Sequence, residues 1–201
     1  MAMGCLLLLF YSPPFIILSS IMKHYFTLAT LAFCLLLSAC SISGIFTDYN
    51  QLTQEEKEKV VKCTEDISKI NDFNKLYVVN VAQIKQFITE KQNVVVYSYV
   101  PFCTSKNCIS PKTLIDDMKA KGYSTLIVSD TYADAFISVG SNFPLLMIDN
   151  TVYKTKLRGK YTELFHKDLL GVPLKSINYA SYHLFQNGKY VKSYQNYKEI
   201  E

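Results

Sequence analysis

A chain of 201 residues, 49% hydrophobic and 19% charged, has the size of one globular domain with appended segments. Its formal net charge is only +4, and no run of lysines and arginines is interleaved with aromatic residues, so nucleic-acid binding is not expected. None of the six cysteines lies near a histidine at the spacing of metal ligands, and neither a metal nor another cofactor is expected.

Residues 1–39 are predicted to be an export signal that is removed. A short basic start at Met22-Lys23-His24 precedes an apolar core over residues 25–37, and Ser38-Ala39 supply small residues before a processing site. Met22, at the head of this pattern, is the expected true start. The core is shorter than the roughly 20 residues of a membrane span. Cleavage is therefore favoured over the alternative, in which the apolar blocks remain as uncleaved anchors.

The end of this signal resembles the lipobox of bacterial lipoproteins, because Leu37-Ser38-Ala39 is followed by Cys40. The resemblance implies that Cys40 is acylated, with palmitate among its lipids, and becomes the new N-terminus. It places the protein in the bacterial cell envelope, lipid-anchored to a membrane and outside the cytoplasm, where disulfides persist. Residues 40–52, polar and without periodicity, are expected to be a lipidated tether to a domain over residues 53–201.

The domain is expected to begin with a helix over residues 53–70, opened by a capping box at Thr53 and Glu56. Cys63 lies on the apolar stripe of this helix, so a buried and inert thiol is predicted there. A β-rich run, a helix capped by Asn80 and a continuous run of β-branched and aromatic residues follow, at residues 76–79, 81–91 and 93–100.

The second half continues the alternation. Ser110-Pro111 predicts a helix start, and Asn187-Gly188 predicts a hairpin between residues 181–185 and 190–194. Between them, a strand is expected at residues 124–128 and helices at 131–139 and 160–170, the last ending at Gly171. The sequence therefore predicts an α/β fold with a mixed sheet of four or five strands.

The buried run over residues 93–100 leads to Cys103, which is predicted to stand where the following helix begins. A helix N-terminus stabilises a thiolate, and Lys106 would add to that effect. Cys108 could then close a disulfide with Cys103. The five-residue spacing leaves two alternatives, because the two positions lie on different sides of a regular helix. Either residues 103–109 form a loop, or the first helical turn unwinds.

This strand–cysteine–helix unit, with the terminal hairpin, resembles the thioredoxin superfamily over roughly residues 74–195. The resemblance implies a three-layer fold with a mixed sheet, an extra N-terminal helix and an insertion at residues 140–178 before the hairpin. It implies a thiol–disulfide oxidoreductase without a cofactor, in which Cys103 attacks, Cys108 resolves, and Lys106 and Pro101 support them. Its partners would be envelope protein thiols and disulfides or another redox protein.

The chain departs from the family pattern in the spacing of its cysteines and in lacking a proline near Tyr179-Ala180. A second interpretation is therefore a non-enzymatic interaction or assembly lipoprotein with a structural Cys103–Cys108 disulfide. A third is a thiol peroxidase, because residues 101–104 with Cys108 resemble peroxiredoxins that have a nearby resolving cysteine. The peroxide-binding threonine of that pattern is replaced by Val100, and Arg158 is the only arginine.

Overall fold

The computed structural model describes residues 44–105 and 108–201. Four α-helices lie in this part of the chain: α1 (Gln54–Lys59), α2 (Val81–Glu90), α3 (Pro111–Ala120) and α4 (Arg158–Leu170). Its strands are β1 (Val60–Lys62), β2 (Leu76–Val79), β3 (Asn93–Tyr99), β4 (Ser124–Ser129), β5 (Leu145–Ile148), β6 (Tyr182–Gln186) and β7 (Lys189–Tyr194).

These seven strands form one mixed sheet in the order β1-β2-β5-β4-β3-β6-β7. Strands β1 to β5 run parallel to one another, whereas β6 is antiparallel to β3 and β7 is antiparallel to β6. The predicted α/β class with a mixed sheet is confirmed. Strand β3 lies between β4 and β6, so the segment that follows it leaves from the interior of the sheet and not from an edge.

Helices cover both faces of the sheet and give it three layers. On one face, α2 and α4 contribute Ile84 and Phe165 to a core that includes Val96 of β3. On the other face, Leu114 of α3 packs in a second core with Val95 of β3. Successive residues of β3 thus point into opposite cores, which explains the unbroken apolar run that marks this strand in the sequence.

The helix caps and the hairpin turn that the sequence predicts are confirmed. Ser110 caps α3 by accepting a hydrogen bond from the amide of Thr113, and Asn80 caps α2. In the β6–β7 hairpin, Asn187 and Gly188 have φ angles of 50° and 77°. A two-residue turn with both central φ angles positive matches the right-handed twist of the strands, so Asn-Gly here fixes the register of the hairpin.

The helix predicted over residues 53–70 is wrong in its length. Its capping box forms, but α1 ends at Lys59 and the chain continues as β1, parallel to β2. The predicted extra N-terminal helix therefore has fewer than two turns. The β-branched pair Val60-Val61 favours an extended chain, and the free edge of β2 offers it hydrogen-bond partners. Tertiary pairing thus outweighs the helical period of the sequence.

The helix predicted over residues 131–139 is also wrong, since only Ala135–Ile137 form a single 3-10 turn. The Ser129 hydroxyl accepts from the Thr131 amide, and the Thr131 hydroxyl accepts from the Ala133 amide. Such local side-chain bonds hold the backbone in turns that compete with a helix.

The predicted insertion at residues 140–178 supplies strand β5, which lies between β2 and β4. The sheet consequently has seven strands in the described residues, where four or five were expected. Strand β5 is only four residues long and buried throughout, so its sequence shows an apolar run without a period.

Residues 44–52, which were predicted to belong to the tether, pack against the domain. Asp48 is buried, and its Oδ2 accepts hydrogen bonds from the Gly44 amide and the Thr131 hydroxyl at 3.1 and 3.2 Å. The Thr47 carbonyl accepts from the amide of Tyr132. Residues 44–52 thus belong to the same compact unit as the residues that follow them.

The predicted signal region, Met22 and the lipidation site Cys40 lie outside the described residues. Within residues 44–105 and 108–201, no helix is both long enough and apolar enough to cross a membrane.

Candidate functional site

The segment between β3 and α3 carries the cysteine pair on a loop. A turn begins directly after β3, where the Cys103 amide donates to the Val100 carbonyl at 3.0 Å. Pro101 occupies the second position of this turn, for which its fixed φ angle is suited. The predicted supporting residue Pro101 therefore helps to set the path of the backbone from β3 to Cys103. The other predicted supporting residue, Lys106, lies outside the described residues.

Cys103 and Cys108 form a disulfide, with their Cα atoms 6.1 Å apart. Both residues are half-buried. A second turn, in which the Cys108 amide donates to the Ser105 carbonyl at 3.0 Å, folds the loop back on itself. This reversal brings the two sulfurs together despite the five-residue spacing.

The prediction that Cys103 stands at the start of the helix is wrong. Residues 103–105 and 108–109 lie outside any helix, and α3 begins at Pro111. Ser110 is a strong cap, and proline is tolerated at the first helical position, so these two residues fix the start. Of the two alternatives that the spacing left open, the loop is correct, and Cys108 is the cysteine closer to the helix in the chain.

Ser105, which lies between the two cysteines in the sequence, contacts both sulfurs and was missed by the sequence analysis. Its Oγ is 3.6 Å from Cys103 Sγ and 3.3 Å from Cys108 Sγ. The sulfurs of a disulfide carry no hydrogen, so the serine hydroxyl is the donor in this state. In the reduced state the same hydroxyl would stabilise a thiolate at either position. A hydroxyl residue between two closely spaced cysteines was the available signal.

The far end of the loop is tied to the sheet by Tyr97 of β3. The Tyr97 hydroxyl donates to the Ile109 carbonyl at 3.3 Å, and its ring stacks on Tyr182 of β6 with centroids 4.8 Å apart. Burial raises the pKa of Tyr97, so the phenol stays protonated and able to donate. The loop is therefore fixed at both ends, by the turn at Pro101 and by this bond.

Arg158, at the start of α4, lies beside the disulfide loop. Its guanidinium carbon is 5.6 Å from the centroid of the Phe102 ring, and its Nε is 3.1 Å from Asp130 Oδ1. The arginine and aspartate side chains are each only 17% exposed. This arrangement connects Phe102, next to Cys103, with the residue that follows β4 and with the first residue of α4. No local sequence pattern indicates these contacts.

A chain of buried polar groups lies at the carboxyl half of β3. Ser98 Oγ is 2.9 Å from His166 Nε2 and 3.1 Å from His183 Nε2, and His183 Nδ1 is 2.7 Å from Ser193 Oγ. Burial lowers the pKa of both histidines, and for His183, with the neighbouring His166, it lowers the pKa to about 3. Both rings are therefore neutral at neutral pH.

Cys63 is a free and buried thiol, as predicted, although it follows β1 and does not lie on a helix. Its Sγ donates to the Glu65 carbonyl at 3.2 Å, and burial raises the pKa of the thiol. We expect Cys63 to react with a thiol reagent on the order of tenfold more slowly than an unhindered cysteine, and at the ordinary rate in urea. The measurement is the difference in labelling between the wild-type chain and a Cys63→Ala variant. Rapid labelling of Cys63 in the native protein would contradict this.

No protein-family model matches the sequence, and comparisons with curated proteins and with solved structures also give no match. Within residues 44–105 and 108–201, no group of three or more His, Cys, Asp or Glu side chains is arranged to hold a metal ion. Inference about function therefore depends on the contacts of the cysteine loop.

Proposed function

We propose that this chain is a thioredoxin-like envelope lipoprotein, anchored through Cys40, that exchanges disulfides through Cys103 and Cys108. The observation that carries the proposal is a disulfide on a half-buried loop that leaves the interior of a mixed sheet and leads into a capped helix. Such a pair is held by rigid elements on both sides, while its sulfurs stay within reach of another protein.

The proposed reaction starts from the reduced protein. The Cys103 thiolate attacks one sulfur of a substrate disulfide, forms a mixed disulfide and releases the other substrate sulfur as a thiolate. Cys108 then attacks Cys103 Sγ, which releases the second substrate sulfur and forms the Cys103–Cys108 disulfide. The substrate has gained two electrons and the protein has lost two. The hydroxyl of Ser105, near both sulfurs, is placed to stabilise whichever of the two is the thiolate.

The sheet supports the thioredoxin-like part of the proposal. The strand that precedes the cysteines is interior, with a parallel neighbour on one side and the antiparallel terminal hairpin on the other. Helices lie on both faces, and the hairpin falls where the resemblance places it. Strand β5 and helix α4 come from the segment that resembles the family's extra insertion.

A second candidate is a non-enzymatic interaction lipoprotein in which the disulfide only closes the loop. The observation that favours it is the position of Cys103, which precedes the helix and is not in its first turn. The partial charge of a helix N-terminus acts mainly within that turn. The chain also lacks the proline that the family pattern has near Tyr179-Ala180.

The reduction potential of the Cys103–Cys108 pair separates the two candidates. It is measured on the full chain, purified in detergent, by equilibration in glutathione buffers and trapping of free thiols. An exchange catalyst is expected between about −270 and −120 mV, whereas a structural disulfide lies below about −300 mV. A Ser105→Ala variant serves as the matched probe, because loss of the hydroxyl should destabilise the reduced form and lower the potential. A wild-type potential below about −300 mV would overturn the proposed exchange activity.

A further inference from the structure

Exposed apolar side chains are concentrated on one part of the surface. Nine large hydrophobic side chains of the described residues are exposed, and five of them lie on segments that meet at Arg158 or line its groove. We call these five the apolar rim; its members are Ile45, Phe46, Phe102, Leu157 and Tyr179. Exposed apolar residues scattered singly need no explanation, but a cluster marks a surface that is covered in the working protein.

The contacts of Arg158 bring the rim together. Its amide donates to the Ile45 carbonyl at 2.8 Å, Leu157 precedes it in the chain, and Phe102 lies over its guanidinium group. Tyr179 lines the same groove as Arg158 and Gly44, which has a volume of about 410 Å³. The rim therefore includes both the residue next to Cys103 and residues at the start of the described chain.

The rim is flanked by positive charge. Residues 154–160 read Lys-Thr-Lys-Leu-Arg-Gly-Lys, and Lys154, Lys156 and Lys160 are exposed. Asp130 pairs with Arg158, and Glu163 pairs with Lys160 at 3.0 Å. Neither Lys154 nor Lys156 has an ion pair among the described residues. Exposed lysines interleaved with exposed apolar side chains are typical of protein surfaces that bind anionic bilayers.

The chain reaches this surface from the proposed anchor. Gly44 lines the groove beside Arg158, and Cys40 is four residues earlier in the sequence. Four residues of fully extended chain span at most about 14 Å. A lipid on Cys40 would therefore hold the rim within a short distance of the bilayer surface.

We propose that the apolar rim and the lysines of residues 154–160 rest on an anionic phospholipid bilayer, so that the disulfide loop faces the membrane. The inference rests on the proposed lipid anchor at Cys40. It deepens the proposed exchange function, because it assigns the substrates to membrane proteins whose thiols lie close to the lipid headgroups. A bilayer accounts for both the apolar and the basic components of the surface.

The test uses a single tryptophan as a reporter, because the chain contains none. Leu157→Trp places it in the rim, and Val191→Trp on strand β7 is the matched control, since the two side chains are 50% and 48% exposed. Full-length chains are reconstituted into vesicles of phosphatidylglycerol and phosphatidylcholine, with and without brominated acyl chains. We expect blue-shifted, bromine-quenched emission for Leu157→Trp and water-like emission for Val191→Trp. Equal quenching of the two variants, or of neither, overturns the inference.

The basic component is tested on residues 41–201, which lack both the predicted signal and the lipid and contain the whole compact unit. Replacing Lys154 and Lys156 with glutamine should weaken binding to the anionic vesicles about 25-fold, since each lysine near such a surface contributes roughly fivefold. Vesicles of phosphatidylcholine alone should bind both chains equally weakly. An unchanged affinity for anionic vesicles overturns the assignment. If the emission of Leu157→Trp shifts when a soluble disulfide-containing peptide is added, but not when vesicles are added, the rim is a substrate-docking surface and the membrane assignment is overturned.

Failure of this inference can be distinguished from failure of the proposed function. The mass of the Cys40 peptide reports acylation, and the reduction potential reports exchange competence, on the same preparations. Acylated and redox-active protein without quenching of Leu157→Trp rejects only the membrane-facing surface. Quenching of Leu157→Trp in a protein with a potential below about −300 mV rejects only the exchange activity.

Discussion

A Cys103→Ser variant is expected to reduce disulfides no faster than buffer alone, while a Cys108→Ser variant accumulates a mixed disulfide with its substrate. Without the Cys103 sulfur no covalent intermediate forms. Without the Cys108 sulfur the intermediate forms, but the second attack that releases the substrate is absent. The measurements are the reduction of insulin disulfides by dithiothreitol and the mass of trapped complexes after acid quenching.

Two controls separate the chemistry from the fold. Cys63→Ala removes a thiol that is buried and does not contact the loop, so its rate should match that of the wild type. The urea midpoints of both loop variants should be lower than that of the oxidised wild type, because each loses a cross-link that stabilises the fold by up to about 3 kcal/mol. If Cys103→Ser traps the complex and Cys108→Ser does not, the proposed roles are reversed. Equal activity of the wild type and Cys103→Ser would contradict the exchange function and favour the second candidate, in which the disulfide is structural.

The parts of the fold that could be predicted are those in which adjacent residues decide the outcome. Ser110 and Pro111 fix the start of α3, and Asn187-Gly188 fixes the hairpin, because caps and tight turns depend on a few neighbouring backbone groups. The unbroken run of β3 was equally clear. Such signals were enough for the fold class and for locating the cysteine pair between β3 and α3, although not for its placement on a loop.

The parts that could not be predicted depend on residues distant in sequence. The spacing of apolar residues predicts a helix at Val60 to Lys62, but these residues are extended because they pair with β2. Strand β5 forms by pairing with β2 on one side and β4 on the other. The same holds at the site. The contacts of Arg158 with Asp130 and Phe102 join three separate segments, so an isolated arginine in the sequence gave no indication of them.

The histidines behind β3 make the fold sensitive to acid. His183 is fully buried, and its pKa is lowered to about 3 by burial and by the nearby His166, from an ordinary value of 6.5. Burial also lowers the pKa of His166, opposed in part by the charge of Asp130. Between pH 6.5 and about 3 the unfolded chain therefore binds more protons than the folded chain. The free energy of unfolding must fall as the pH falls through this range.

For His183 alone, the free energy of unfolding is expected to decrease by about 2 kcal/mol between pH 7 and pH 5. The stability that its neutral form contributes is fully present only above pH 6.5. Urea unfolding at pH 7, 6 and 5 measures it. A His183→Gln variant is the matched control. Its side chain can still bond Ser98 and Ser193 but does not titrate, and all carboxylates are retained. The variant is expected to be less stable at pH 7, yet to lose less stability on acidification than the wild type. Identical pH dependence in the two proteins would mean that His183 accepts a proton inside the fold, and that the hydroxyl chain through Ser98 and Ser193 stabilises its charged form.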